Sequence, residues 1–578
     1  MPLIDFYEKE IRYFLDESHR FAEAYPDQAK ALNLEDVKNR DPFAERLIEA
    51  FAFLSGSIKQ QIEDDFSGLA QKLIGVIWPH YLYPLPASTI MSFTPIKGRI
   101  QSFQLVEAGT TIESGNVSTE QPCRFTTTAP VVVRPIELSK VGLVSLNDGR
   151  SSLQITVSPS NGIKWDKIGR QPLLLYIHGD PGFAYSIYFM LCRDVKQILL
   201  NWTLNGSKRT KKLPLNLLKT SASDLEIDYP LLPYSEHSFK GFRLLEEYFF
   251  FPEKFKFFSV DIFENIDILD DDCDINIQFI LSGQEDWRFQ PGINNFKLHC
   301  APSINLFHST AEPIHIDDSK LFYKVEVDHA LSNHSIPHHI KSVTGLRIDS
   351  NERFRYNPFY SYRHGLEEPV SYYHVKRQLG VDGKQEILLG IIRPYDVGPE
   401  VLSIDLMCTN NSVVKEVRLG DIDKPYQNLP DSVRASNLTV PTEPSWPNLD
   451  GNELWTLINA LALNYGSLED PNRLKNMLML YDRTKSRANR LRVNGIQQTN
   501  VKPVETLIKG FPVRGISIEM TMNEKNFINR GDMLMFSNIL SQLLSMYVPI
   551  NAYCSFSVVE KDKKGEYEWP IKGEQKIL

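Results

Sequence analysis

The residues best placed to do chemistry are His178-Gly179-Asp180-Pro181-Gly182, directly after the apolar run LLLYI. α/β-Hydrolases bind a developing oxyanion in such a loop, but their serine must sit in a G-x-S-x-G elbow whose strained turn exposes it. The chain has no G-x-S-x-G, so the loop is expected to end a strand. His334, His338 and His339 cluster in SNHSIPHHI. A metal needs three or four ligands at one point with supporting contacts. Pro337 breaks the run and no cysteine pair or H-E-x-x-H accompanies it, so a polar loop is expected. Glu264, Asp267, Asp270, Asp271, Asp272 and Asp274 form an acidic run. A calcium loop of the EF-hand kind needs a glycine at its sixth position, and none is present; a solvated loop or a docking patch for a basic partner remains. There is no Walker A lysine loop and no G-x-G-x-x-G, so nucleotide use is unsupported. The expectation is no catalytic residue, no cofactor and no metal.

Two basic stretches remain, SKRTKK at 207–212 and DRTKSRANRLR at 482–492. On a helix the second presents a positive face. Arg487 and Arg490 are its candidates for meeting an acidic neighbour.

The elements that position such residues turn on one stretch, LIGVIWPHYLYPLP at 73–86. Proline cannot continue a helix and pushes its predecessor toward extended geometry. Trp78 should therefore leave a helix and start a stiff aromatic strap, with Trp78, His80 and Tyr81 as candidate interface residues. Upstream, residues 1 to about 30 read as an amphipathic helix, with Tyr7, Ile11, Phe14 and Phe21 on three-and-four spacing. This face either closes a three-helix core or is left over for a partner's helix. Asp41-Pro42 opens a second helix with the stripe Phe43, Leu47, Ile48, Phe51, Leu54, Ile58 and Ile62. A third helix is expected over Phe66 to Ile77. The stretch from Leu32 to Arg40 is loop-like.

From Ala87 to about 170, short β-branched runs alternate with turns, as in STIMSFTP and CRFTTTAPVVVRPIEL, and predict antiparallel β structure. Residues 171–440 mix strands and helices. PTEPSWPNLDGN at 441–452 has linker composition. The remainder predicts helices around Trp455 and Leu474–Tyr481, the strand RGISIEMTM, the helix MLMFSNILSQLLSMY and the strand INAYCSFSVVE. The fold class is α+β multidomain: an N-terminal helical segment (1–86), a β domain (87–170), a mixed α/β middle (171–440) and a C-terminal α+β domain (441–578).

Composition bounds the rest. At 578 residues the chain exceeds what one core supports. A net charge of −9 does not favour nucleic acid or anionic membranes as partners. No uncharged apolar run reaches the ~20 residues needed to span a bilayer. The six cysteines are never closer than 27 residues, so reduced, buried thiols in a cytoplasmic protein are expected.

In several blocks the chain resembles the TssF (VasA/ImpG) family of type VI secretion baseplate proteins. They include FYEKEIRYFLDESHRFAEAYP, DPFAERLIEAFAFLSGSIKQQIEDDF, WPHYLYPLP, FKGFRLLEEYFFFPEKF and KLHCAPSINLFHSTAEPIHID. The order Arg514-Gly515, Glu524 near Phe527, then Ile550-Asn551 closes the series. LSIDLMCTNN follows the family only as far as Asn410, where Asn-Ser-Val-Val replaces Arg-Asp-Leu-Pro. The resemblance implies a non-enzymatic wedge subunit of a contractile machine, recruited to an inner-membrane-docked complex. Its implied partners are TssG, a second TssF copy, TssE, TssK, the VgrG spike and sheath proteins. The residue reading alone leaves a hydrolase and a stand-alone binding module open.

Overall fold

The computed structural model describes residues 3–26, 42–115, 122–160, 163–220, 229–232, 234, 240–263, 273–283, 289–316, 320–328, 335–348, 352–359, 371–380, 385–393, 398–410, 412–449, 451–461, 470–508, 511–546, 552–561, 565–570 and 572–573. The expected loop at 32–40, His334 and acidic residues 264–272 lie outside these. The chain divides into two compact units.

The first unit gathers residues 1–82, 376–385 and 448–462. Helix α1 (Leu3–Ala24) lies along α2 (Pro42–Ile77). The helix expected to start at Phe66 is instead part of α2, which runs unbroken for 36 residues. No proline interrupts it before Pro79. A lone helix glycine such as Gly68 costs only about 1 kcal/mol, too little to end a packed helix. Small residues let α1 and α2 approach: a Cβ on Gly56 would sit 3.1 Å from the Tyr7 amide nitrogen. Phe6 and Glu10 are buried on α1, and Ala52 on α2. Toward its C-terminus α2 packs on a later helix, Gly451–Leu461, whose Leu454 and Leu457 are fully buried. Trp78 still donates its amide to Ile74 at 2.6 Å, and Pro79–Leu82 then tightens into a 3₁₀ turn.

The second unit, residues 83–375, 386–447 and 463–578, is mostly sheet. One six-stranded sheet runs in the order Ile422–Gln427, Thr111–Ser114, Arg124–Thr127, Cys300–Ile304, Ser88–Pro95, Val433–Asn437. Met91, Phe93, Phe125, Ala301 and Ala435 share its core. A five-stranded sheet runs Ser207–Leu213, Val195–Leu204, Ile275–Leu281, Ser151–Pro159, Ile136–Ser145. In the C-terminal sheet, Phe511–Met522 and Tyr553–Glu560 pair in parallel, which requires a crossover. The crossover contains the helix Arg530–Met546, buried from Gly531 to Leu544. It packs on the helices Pro181–Phe189 and Lys240–Phe250. Tyr248 stacks on Phe536 at 5.9 Å. Gly531 is obligatory here, because a Cβ would meet the Tyr185 carbonyl oxygen at 1.8 Å.

Candidate interaction surfaces

The His178 loop is spent on architecture. The Asp180 carboxylate accepts the Gly182 amide at 2.9 Å and caps the helix Pro181–Phe189, while the His178 amide donates to the Asn295 carbonyl. His338 and His339 do not form a polar loop; they lie in the strand Ser335–Arg347, and His338 is buried. His338 Nε2 donates to the Pro84 carbonyl at 2.8 Å. In neutral His338 that tautomer leaves Nδ1 to accept from His339 Nδ1, 2.7 Å away. The His339 ring stacks on Tyr83 at 5.2 Å. Both histidines therefore grip the end of the aromatic strap.

The basic stretch 482–492 divides in two. Ser486 caps a short helix, Arg487–Asn494, by accepting the Asn489 amide. Arg487 and Arg490 are exposed, as a positive face requires. Arg483 and Arg492 turn inward. Arg492 Nε donates to Asp532 at 2.9 Å. Arg483 donates to the fully buried Glu246 at 2.8 Å, and to the backbone carbonyls of Tyr83 and Ser445. Ser445 and Leu85 exchange both backbone hydrogen bonds, at 2.7 and 2.9 Å. One guanidinium thus ties the strap to the proline-rich 441–447 segment. The burial of Glu246 pushes its carboxyl above the usual range, against the pull of Arg483.

Other sequence blocks resolve into similar buried knots. Glu247 pairs with Lys254 and accepts the Leu231 amide at 2.8 Å. Asn410 accepts from Asn305 at 2.7 Å and from the Arg124 amide at 3.1 Å, joining separate sheets. Asn305 and Asn410 could be found from sequence only as paired asparagines a hundred residues apart, which carries no local signal.

Trp78, His80 and Tyr81 are buried, with Trp78 and Tyr81 rings 5.1 Å apart. The exposed apolar surface lies elsewhere in the first unit. On α1, Tyr7, Ile11 and Phe14 are half-buried and Phe21 is exposed. On α2, Leu47, Phe51, Leu54 and Ile58 are 56–59% exposed, followed by Leu69, Leu73 and Val76 at 37–69%. At 100° per residue these seven fall on one side, about 130° around from the buried Ala52, Gly56, Ala70 and Ile74. The two runs, 47–58 and 69–76, cover about 16 and 10 Å of helix. Four of these residues belong to the apolar stripe read from the sequence; the small residues make the α1–α2 contact and these large ones face outward. Inside the α1–α2 contact, Glu10 accepts from Ser55 at 2.7 Å and Lys59 at 2.6 Å. Those two donors hold its carboxyl below the usual range.

A family model for the type VI secretion system TssF protein matches residues 2–575. The TssF1 component of Pseudomonas aeruginosa strain PAO1 is 26% identical, with 99% of this chain and 98% of that protein aligned. A chain in the cryo-electron microscopy structure of a TssK-TssF-TssG baseplate subcomplex superposes with a TM-score of 0.80 at 26% identity, over 92% of this chain and 99% of that one. A chain of another type VI secretion baseplate complex shares the fold, at a TM-score of 0.67 and 22% identity over both full lengths. The family match, which spans nearly the whole chain, establishes it as a member of the type VI secretion system TssF family.

Proposed function

We propose that the chain is a wedge subunit of a type VI secretion baseplate, working by shape rather than by bond-making. In this reading it joins TssG, TssK and a second copy of itself, with TssE and the VgrG spike nearby, and the assembly templates the contractile sheath and relays the trigger for contraction. It acts in the cytoplasm, at a complex docked on the inner membrane. In support, no helix among the described residues is long and apolar enough to cross a bilayer.

The observation that carries the reading is the α2 stripe with its α1 neighbours. An exposed apolar strip costs free energy in water, at roughly 25 cal/mol per Å², and its i, i+4, i+7 spacing suits helix-on-helix packing. Helices of TssG and of the second copy are the proposed occupants, with Tyr7, Ile11, Phe14 and Phe21 at the margin. The test is co-expression with TssG. Leu54→Asp with Ile58→Asp should abolish co-purification while leaving the thermal transition within a few degrees of wild type. Retained co-purification would refute this docking mode.

A further inference from the structure

We propose that a groove on the second unit binds a proline-containing, cationic segment of another protein in the polyproline II conformation. This goes beyond the baseplate reading and does not depend on it. The groove has a volume of about 610 Å³, a size typical of ligand sites. Its walls come from stretches far apart in sequence. Pro181 opens the helix Pro181–Phe189, Pro252 follows the helix Lys240–Phe250, and Pro444 and Trp446 belong to the proline-rich 441–447 segment. Ile528 completes it, its side chain set against Gly182, where a Cβ would come within 3.6 Å. Trp446 and Ile528 are both exposed.

Three of these side chains are proline rings on backbone of fixed φ, so the walls are stiff. Ring-lined grooves suit the polyproline II helix, which keeps its backbone solvated and needs no hydrogen-bonding strand edge to dock on. Such a segment also enters already ordered, so little conformational entropy is lost on binding.

Four charged side chains line the groove, and their exposure decides the charge of the ligand. Arg483 and Arg492 are 3% and 7% exposed, each held by a buried carboxylate, Glu246 and Asp532. Glu443 is 76% exposed and Glu253 27%. The lining charges that an incoming chain meets are therefore negative. Arg487 and Arg490 do not reverse this. At 100° per residue they lie on the opposite face of their helix from the lining residues Ala488, Asn489 and Arg492. Glu253 already accepts from Lys256 and from the Tyr176 hydroxyl, each at 2.5 Å. Glu443 pairs with the half-exposed Lys415 at 3.0 Å. A surface pair of that kind is worth at most about 1 kcal/mol, so an arginine or lysine of the ligand can displace Lys415. The Trp446 ring in the same groove then offers that cation an aromatic face.

The test uses the full-length chain and a fluorescent peptide of three Pro-Pro-Arg repeats. Controls are Pro-Pro-Glu repeats, of opposite charge, and Gly-Gly-Arg repeats, which keep the charge and lack the rings. The Pro-Pro-Arg peptide should bind, weaken severalfold between about 50 and 300 mM salt, and, in a photoreactive form, crosslink within 442–446 or at 528. Trp446→Ala should weaken binding at least about tenfold. Ile528→Arg, at an exposed position, should do the same by obstructing the groove, with the thermal transition unmoved. Glu443→Lys should lower affinity for Pro-Pro-Arg and raise it for Pro-Pro-Glu. Gly-Gly-Arg or Pro-Pro-Glu binding as tightly as Pro-Pro-Arg would overturn the proposal. So would failure of Pro-Pro-Arg to bind, crosslinks elsewhere, or unchanged affinity in Ile528→Arg.

Discussion

His299 sits with φ at +53°, buried, its Nε2 accepting the Arg134 amide at 3.1 Å. Burial, aided by the Arg134 charge, pushes its pKa down to about 3. The folded state thus keeps the ring neutral while the unfolded chain takes a proton near pH 6.5. Its contribution is complete above that pH and is lost on acidification, by up to about 1.4 kcal/mol per pH unit, until about pH 3. Urea titrations at pH 7 and 5 should show this slope, and His299→Asn, which tolerates left-handed φ, should remove the part due to this site. Arg483→Ala leaves Glu246 buried without this ion pair and should cost about 3–5 kcal/mol. Arg487→Ala and Arg490→Ala, on the exposed side of the same stretch, should stay within about 0.5 kcal/mol in denaturant unfolding.

Between elements, α1 and α2 meet through small residues and one ionic clasp. Gly56→Leu should force the helices apart, read as loss of a disulfide engineered between them, with the second unit's unfolding transition unchanged. The Glu10 clasp has the sign usual for a depressed carboxylate. Its contribution is present above about pH 4.3 and is lost as pH falls through the lowered folded value; Glu10→Gln should flatten that acid limb in circular dichroism. α1 and the Arg530 helix were legible in sequence because apolar spacing is a local signal, whereas the helix expected to start at Phe66 proved to be the end of α2. The direction of the α2 stripe was not legible, since period alone marks a face without saying what covers it. Sheet order was illegible for another reason. Thr127 pairs with Ser303, and Met91 with Asn437, and no local pattern specifies partners so far apart. The basic stretch at 482–492 misled in part: a run of arginines looks uniform until the fold assigns Arg483 and Arg492 to buried carboxylates.

At the scale of the molecule, the first unit is not an N-terminal appendage. It takes α1, α2, the 376–385 segment and the Gly451–Leu461 helix from three places in the chain. Removing residues 1–82 should therefore strip the partner from Leu454 and Leu457 and give aggregation in size-exclusion chromatography, rather than a clean remainder. The same discontinuity has a consequence during synthesis. The ribosome finishes α2 about 370 residues before it makes the helix that covers its far end. At roughly 5–20 residues per second this leaves the nascent helical pair waiting for some tens of seconds, so a chaperone has time to reach it before its own chain does.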